Sequence, residues 1–473
     1  YYHFLLLKNY GPIPLIKGVM SIDMDKADFP ERDSYDVCVQ WISDLFDEAA
    51  GMLPAEQTST AYGRATSVAA KALKSRLWLY AASPLFNGNS EYYANFVSKV
   101  DGRHLISQTY SEAKWEKAAS AAEEAIELAK AAGYKLYTES PVVTSRFAQP
   151  TDPVHRVLRL NFMDYNTSKE VLWADTRKEG HYGLQYKSTP YRVGPSSGNG
   201  VGVTLTMVEM FYSKNGLPID LDPEYDYTGR YRYGEYHNDV CDGVTMNLNI
   251  DREPRFYANI HFPNQRVSYA YPNEGDSYQD SDGYGIVDYW YKGLSGNGST
   301  PGDKNTTGFS VRKGLPLNYC SSKEKAKDTW NLNVPFPIIR LGEVYLNYAE
   351  ALNEYYGESR QDEVLEYLNA IRERAGIPGY EDSYSQEEMR EMIRHERKIE
   401  LCYECQRFFD VRRWKVADMA VGDDWIYPKY HRGGEGGPIH GMAFRSDAPA
   451  FFEKVVVETR TFLPKHYLFP IPD

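Results

Sequence analysis

Between Arg266 and Tyr291 the chain interleaves aromatic rings with hydrogen-bonding side chains. Tyr269, Tyr271, Tyr278, Tyr284, Tyr289, Trp290 and Tyr291 alternate with Asn273, Asp276, Gln279, Asp280 and Asp288. A sugar ring presents apolar C–H faces that stack on aromatics, and hydroxyls that need amide or carboxylate partners, so this mixture suits carbohydrate recognition. Tyrosine does this at low entropic cost, because its flat body orders with few torsions. The chain has 40 Tyr against 19 Phe, and 16 of the Tyr lie between Tyr182 and Tyr291, so the enrichment is regional. The candidate ligand-binding residues are Trp290, Tyr289, Tyr291, Tyr284, Tyr271, Tyr269, Tyr278, Asn273 and Asp288. Tyr182, Tyr186 and Tyr191 form a second candidate wall. Tyr289-Trp290-Tyr291 also fits a strand with alternate rings buried and only Trp290 or its neighbours exposed.

Catalytic chemistry finds less support. A retaining glycosidase needs two carboxyls ~5 Å apart. Glu343, Glu350, Glu396, Glu400 and Asp410 instead recur at helical spacing alongside Arg413, and read as ion pairs and helix-end contacts. His395-Glu396 is followed by Ile399 where a zinc metalloprotease carries its second histidine, and the phosphate-loop, nucleophile-elbow and dinucleotide fingerprints are missing. The acidic stretches Asp220–Asp226 and Asp276–Asp282 offer oxygen ligands for Ca²⁺, yet neither has the ordered twelve-residue loop. Calcium stays open, and no cofactor is assigned. The five cysteines are odd in number and scattered. Cys402 and Cys405 are spaced C-x-x-C without a second ligand pair or a βαβ context, and read as packing residues. The expectation is a binding protein, not an enzyme.

Helices must position these loops. Leu341, Val344, Tyr345, Tyr348, Ala349 and Leu352 repeat with helical period. A second helix ends at Gly376 with Pro378 beyond it, and a third opens on Ser385-Gln-Glu-Glu388, a capping box. Earlier, Cys38, Trp41, Ile42, Leu45, Ala49 and Met52 form one stripe, and Trp115, Ala118, Ala119, Ala122, Ile126 and Ala129 another whose small residues permit close helix approach. Trp78, Trp115, Trp173 and Trp414 lie in such elements and are expected in the core. Nineteen of the 36 glycines fall between Gly180 and Gly314, so long regular elements are not expected there, although Glu170–Ala174 reads as a short strand. The reading divides the chain into a helical part (1–137), a loop-rich ligand-binding region (138–337), and a second helical part (338–473) with a glycine-rich excursion at 420–450. The fold class is mainly α: a tetratricopeptide-like scaffold of helical hairpins carrying an irregular region with short strands.

A net charge of −13 repels phosphate backbones and argues against nucleic acid as a partner. No apolar run approaches the ~18 residues of a membrane helix. The chain opens on Tyr1 in what reads as a helix already under way, without a leader or lipid-acceptor cysteine.

Arg340-Leu-Gly-Glu-Val-Tyr-Leu-Asn-Tyr-Ala-Glu-Ala351, Tyr367–Gly376, His395–Leu401 and Phe409–Trp414 together resemble the C-terminal signature of the SusD/RagB family of outer-membrane nutrient-binding lipoproteins. Tyr10-Gly-Pro-Ile-Pro14, Asp44-Leu45, Gly63-Arg-Ala-Thr66 and Ala81–Gly88 are similar to further family segments. Arg252-Glu-Pro-Arg-Phe256 departs slightly, by Asp251 and Glu253. This resemblance implies a cell-surface, lipid-anchored protein of a Gram-negative outer membrane, its anchor lying outside this numbering. It implies a non-catalytic role: binding an oligosaccharide and delivering it, as a lid, to a SusC-like TonB-dependent transporter. The RagB-like branch, which handles peptides, is the alternative. A glycoside hydrolase or a tetratricopeptide adaptor ranks below both, since an adaptor has no use for the Tyr-rich middle region.

Overall fold

The computed structural model describes residues 1–140, 152–161, 163, 168–177, 185, 187–190, 198–267, 285–293, 295–298, 305–315, 334–417 and 437–470. Scaffold helices α1 (Tyr2–Tyr10), α2 (Tyr35–Met52), α3 (Ser67–Ala82) and α4 (Ala113–Ala131) precede the loop-rich region. Helices α5 (Leu341–Tyr356), α6 (Gln361–Arg374), α7 (Gln386–Glu400) and α8 (Arg407–Arg413) follow it. Their ends obey local chemistry. Thr66 caps α3 by accepting from the Ala69 amide (3.0 Å), and Ser385 and Glu388 form the expected reciprocal box on α7. Beyond α6, Gly376 adopts φ +75°, where a Cβ would lie 2.9 Å from Val154.

The expected stripe on α5 is buried, and so is every residue from Leu341 to Asn353. Such a helix is enclosed on all sides: α5 packs against α3, α4, α6 and α7. The alanine face of α4 is also buried as expected, and it lies against both α3 and α5. In α2 the buried face is rotated from the expected stripe. Tyr35, Cys38, Val39, Ile42 and Phe46 are buried, whereas Leu45 and Met52 are exposed. Leu45 and Phe46 are adjacent apolar residues, and α3 takes the side that presents the larger ring. One continuous apolar core thus draws on residues from Phe4 to Leu136 and from Ile339 to Ala417, together with Leu172 and Tyr467.

A second core belongs to the loop-rich region. Phe211, Phe256, Phe262, Phe309, Met442 and Phe451 meet there with Ala375, Ile377, Ile399 and Cys402 from the ends of α6 and α7. Strands are short and antiparallel: Val171–Asp175 pairs with Phe336–Arg340, Tyr233–His237 with Asp242–Met246, and Ile439–Met442 with Lys454–Glu458. The first pair contains the strand expected around residues 170–174.

Two buried charge clusters tie these parts together. In one, Arg255, Arg340, Arg372, Arg374 and Lys313 are matched by Glu170, Glu253, Glu396, Glu400 and Glu404. Arg340 is its hub, donating to Glu170 (2.6 Å), to both oxygens of Glu404 (2.7 and 2.8 Å) and to the Glu400 carbonyl (2.9 Å). In the other, Arg76, Arg397 and Arg413 are matched by Glu343, Glu350 and Asp410. Balance of sign matters because an unmatched charge in such an interior is costly. Burial alone would raise Glu400, but Arg374, Arg340 and Arg255 outweigh it and hold that carboxyl well below the usual range. Burial likewise opposes Asp410, and Arg397 and Arg413 overcome it to lower its pKa.

Candidate functional site

Asp288–Tyr291 is the part of the expected aromatic platform that lies within the described residues. Tyr269, Tyr271, Asn273, Tyr278 and Tyr284 lie outside them, as do Tyr182, Tyr186 and Tyr191. Two short strands, Arg266–Val267 and Gly285–Ile286, lead into the turn. The strand reading of residues 289–291 is not what forms: the chain turns, and the Gly293 amide donates to the Trp290 carbonyl (2.8 Å). Glycine is required beneath it, since a Cβ on Gly296 would sit 1.8 Å from the Trp290 carbonyl oxygen. On the other side, the Tyr291 amide donates to the Ser446 carbonyl (2.9 Å) and the Lys292 amide to the Asp447 carboxylate (2.8 Å).

The turn separates the side chains. Tyr289 is 1% exposed, and its hydroxyl pairs with the Ser310 hydroxyl. It belongs to the second core, so its ring is enclosed by protein in this structure, unlike the exposed platform expected of it. Asp288 is buried, with its carboxylate accepting from the Ser295 amide (3.3 Å), so it holds the turn in shape. Trp290 is half-buried against the second core, and Tyr291 is 40% exposed. These two adjacent rings are what the turn presents to solvent.

Tyr233, absent from the sequence-based candidates, is a further exposed ring. Its ring is 49% exposed and stacks on Phe452 at 5.3 Å. Phe452 follows the Ser446–Asp447 turn that clamps Tyr291. The alternation of Tyr233, Glu235 and His237 along one strand face was the available signal.

The remaining chemistry expected of the carboxylates is structural. Glu343, Glu350, Glu396, Glu400 and Asp410 all sit in the buried clusters as ion pairs with arginines, most of them distant in sequence. In the 220–226 stretch, Asp222 accepts from the Asn215 amide group (3.1 Å) and the Glu224 amide (2.9 Å), and Asp226 accepts from the Gly229 amide (2.9 Å). These carboxylates shape turns, while Asp276–Asp282 lies outside the described residues. Among the described residues, no group of three or more His, Cys, Asp or Glu side chains is placed to hold a metal ion. Cys402 is buried and Cys405 exposed, both as free thiols, and burial pushes the Cys402 thiol up to about 11. Trp78, Trp115 and Trp414 are buried as expected, and Trp173 is half-buried, donating to the Gly63 carbonyl (2.8 Å).

A scaffold of helical hairpins carrying a loop-rich region with its own core and an aromatic turn defines a recognisable class of protein. The SusD family model matches residues 169–473, and the chain belongs to that family. SusD-like protein P2 of Formosa agariphila is 36% identical over 98 residues, a stretch covering 19% of this chain and 19% of that protein. The match therefore spans about a fifth of this relative's length. The solved structure of BT4246 superposes with a TM-score of 0.78 at 27% identity, covering 99% of this chain and 79% of that one. A SusD-like carbohydrate binding protein (BF0978) of Bacteroides fragilis has the same fold, with a TM-score of 0.64 at 20% identity over 99% of this chain and 75% of that one.

Proposed function

We propose that this protein is a non-catalytic glycan-binding protein of the outer-membrane surface, which captures an oligosaccharide and passes it to a SusC-like TonB-dependent transporter. The observation that carries the binding reading is the clamped turn at Trp290 and Tyr291. Two neighbouring rings are held half out of the surface by backbone bonds on both sides, so stacking a sugar costs little ordering. Family membership supports the same ligand class. Asp288 and the helical carboxylates are engaged in turns and buried ion pairs, which fits binding without turnover. Among the described residues, no helix is long and apolar enough to cross a membrane. Delivery is assigned to the separate barrel that the family implies. As a lid, the protein would have open and closed states whose balance shifts when ligand bridges both partners.

Trp290→Ala tests the site. Losing one stacking ring from a preformed surface should cost roughly 1–3 kcal/mol, about ten-fold to over a hundred-fold in affinity. The ligand comes from a combined glycan and peptide array, and calorimetric titration measures its affinity. Wild-type affinity in Trp290→Ala, or a peptide as the sole array ligand, would overturn the reading. Product chromatography after incubation with the best glycan should show no cleavage beyond stoichiometry. Pull-down from native outer membranes in mild detergent should recover a barrel, and repeated recovery of this chain alone would count against the lid.

A further inference from the structure

A cleft of about 890 Å³ opens where the end of α1, the Ser90–Tyr93 helix, α8 and residues 465–470 meet. It shares no residue with the Trp290 turn. One wall is aromatic: Phe408 stacks on Phe469 at 5.7 Å, and Tyr10 leans on Phe469 at 6.4 Å. Tyr93 and Phe96 face them from another segment, 5.9 Å apart. The Tyr93 hydroxyl is buried and has no hydrogen-bond partner among the described residues.

The charge of this cleft runs against that of the chain. Net charge is −13 overall, yet among the described residues the lining contains Arg32, Arg412 and Lys465 and no carboxylate. The two buried charge clusters differ, because there each guanidinium is matched by an acid. Arg32 lies over the Phe96 ring at 5.6 Å; Arg412 lies over Phe408 at 3.3 Å and donates to the Phe408 carbonyl (2.8 Å). Neither Arg32 nor Lys465 has a carboxylate partner among the described residues. Arg32, resting on a ring face, and Lys465, exposed at the rim, thus keep their charge available to an incoming anion. Rings beside them provide the stacking surface that a sugar needs.

We infer that this cleft is a second binding site, taking an anionic oligosaccharide that carries carboxylate or sulfate groups. The sugar part of this inference rests on the glycan reading above, while the charge part rests on the cleft alone. Arg32 and Lys465 bind the anionic groups, and Phe469 with Phe408 stacks the ring.

The test titrates the full chain with a galacturonic acid trisaccharide, a sulfated galactose trisaccharide and the neutral galactose trisaccharide. Wild type should bind at least one charged probe more tightly than the neutral one, and that affinity should drop several-fold between ~0.05 and ~0.5 M salt. Arg32→Ala/Lys465→Ala should weaken the charged probe at least about ten-fold. The double variant should keep the wild-type melting temperature and the wild-type affinity for the array glycan at the Trp290 turn. Phe469→Ala, at a ring 46% exposed, provides a second variant with little risk to folding, and it should weaken the same probe. Equal binding of charged and neutral probes, or charged-probe affinity unaltered in both variants, overturns the cleft and leaves the Trp290 site standing. Loss of the array glycan in Trp290→Ala with charged-probe binding retained supports two separate sites.

Discussion

Arg340→Met tests whether the charge clusters hold the two cores together. Arg340 is 1% exposed, and its hydrogen bonds run to Glu170, Glu404 and the Glu400 carbonyl over 2.6–2.9 Å. Methionine roughly preserves the volume of the stem and removes the charge. The cluster then holds one carboxylate too many, in surroundings where water cannot respond. Breaking a buried pair from one side costs about 3–5 kcal/mol, and that range is expected for the single variant. A second substitution, Glu404→Leu, restores the balance of sign. Lys313 loses Glu404 in that variant but keeps the Glu400 carbonyl at 2.7 Å. The double variant should therefore lose less than the sum of the two singles, with a coupling of ~1–3 kcal/mol. Urea denaturation followed by tryptophan fluorescence measures all three, with the slope checked for constancy. A loss below ~1 kcal/mol for Arg340→Met, or strict additivity in the double variant, would refute the reasoning.

Acid should destabilise the protein in two stages. Burial holds His261 and His395 well below the usual imidazole range, so their contribution is full above the unfolded value near pH ~6.5 and is lost as pH falls. Glu404 and Asp410, both lowered against the pull of burial by neighbouring cations, add a steeper loss below the unfolded carboxylate range near pH ~4. A melting temperature unchanged between pH 7 and 4 would contradict this. Tyr289→Phe should cost ~1 kcal/mol of stability by stranding the Ser310 hydroxyl, with glycan affinity unaltered in titration; weakened binding would return Tyr289 to the site. Trp115→Ala, at a side chain 4% exposed on α4, should cost roughly 3–5 kcal/mol in thermal or urea unfolding, and a variant as stable as wild type would place that ring outside the core.

Much of the scaffold could be read directly from spacing. The α5 stripe, the Ser385–Glu388 box and the stop at Gly376 are local patterns whose physics spans only a few residues, and each appears where expected. The pairing of helical acids with arginines was legible in kind but not in detail. Glu343 meets Arg76 across the chain, and Glu170 meets Arg340 and Arg374, contacts that no local period encodes. The α2 stripe failed because two adjacent apolar residues leave a face ambiguous until a partner helix chooses. The aromatic turn shows the same limit: composition drew attention to residues 289–291, but only the glycine-dependent turn decides that Tyr289 is buried while Trp290 is half-buried and Tyr291 exposed. Tyr233 and the basic cleft assemble from distant segments, so sequence proximity could not reveal them.

The shared helical core also has a consequence for the order in which the molecule can form. Helix α5 fills the centre of a bundle whose other walls, α3 and α4, were synthesised more than two hundred residues earlier. Until α5 arrives, the alanine face of α4 can close only against α3, and the guanidinium of Arg76 lacks Glu343. Local helices can flicker into existence, but the long loop must be closed before their packing is rewarded. The part of the chain before Leu341 is therefore expected not to fold as an independent unit. A nascent or truncated fragment ending before Leu341 should remain open, sticky and readily digested, and protection should come abruptly, over the few dozen residues that supply α5 and the helices packed on it.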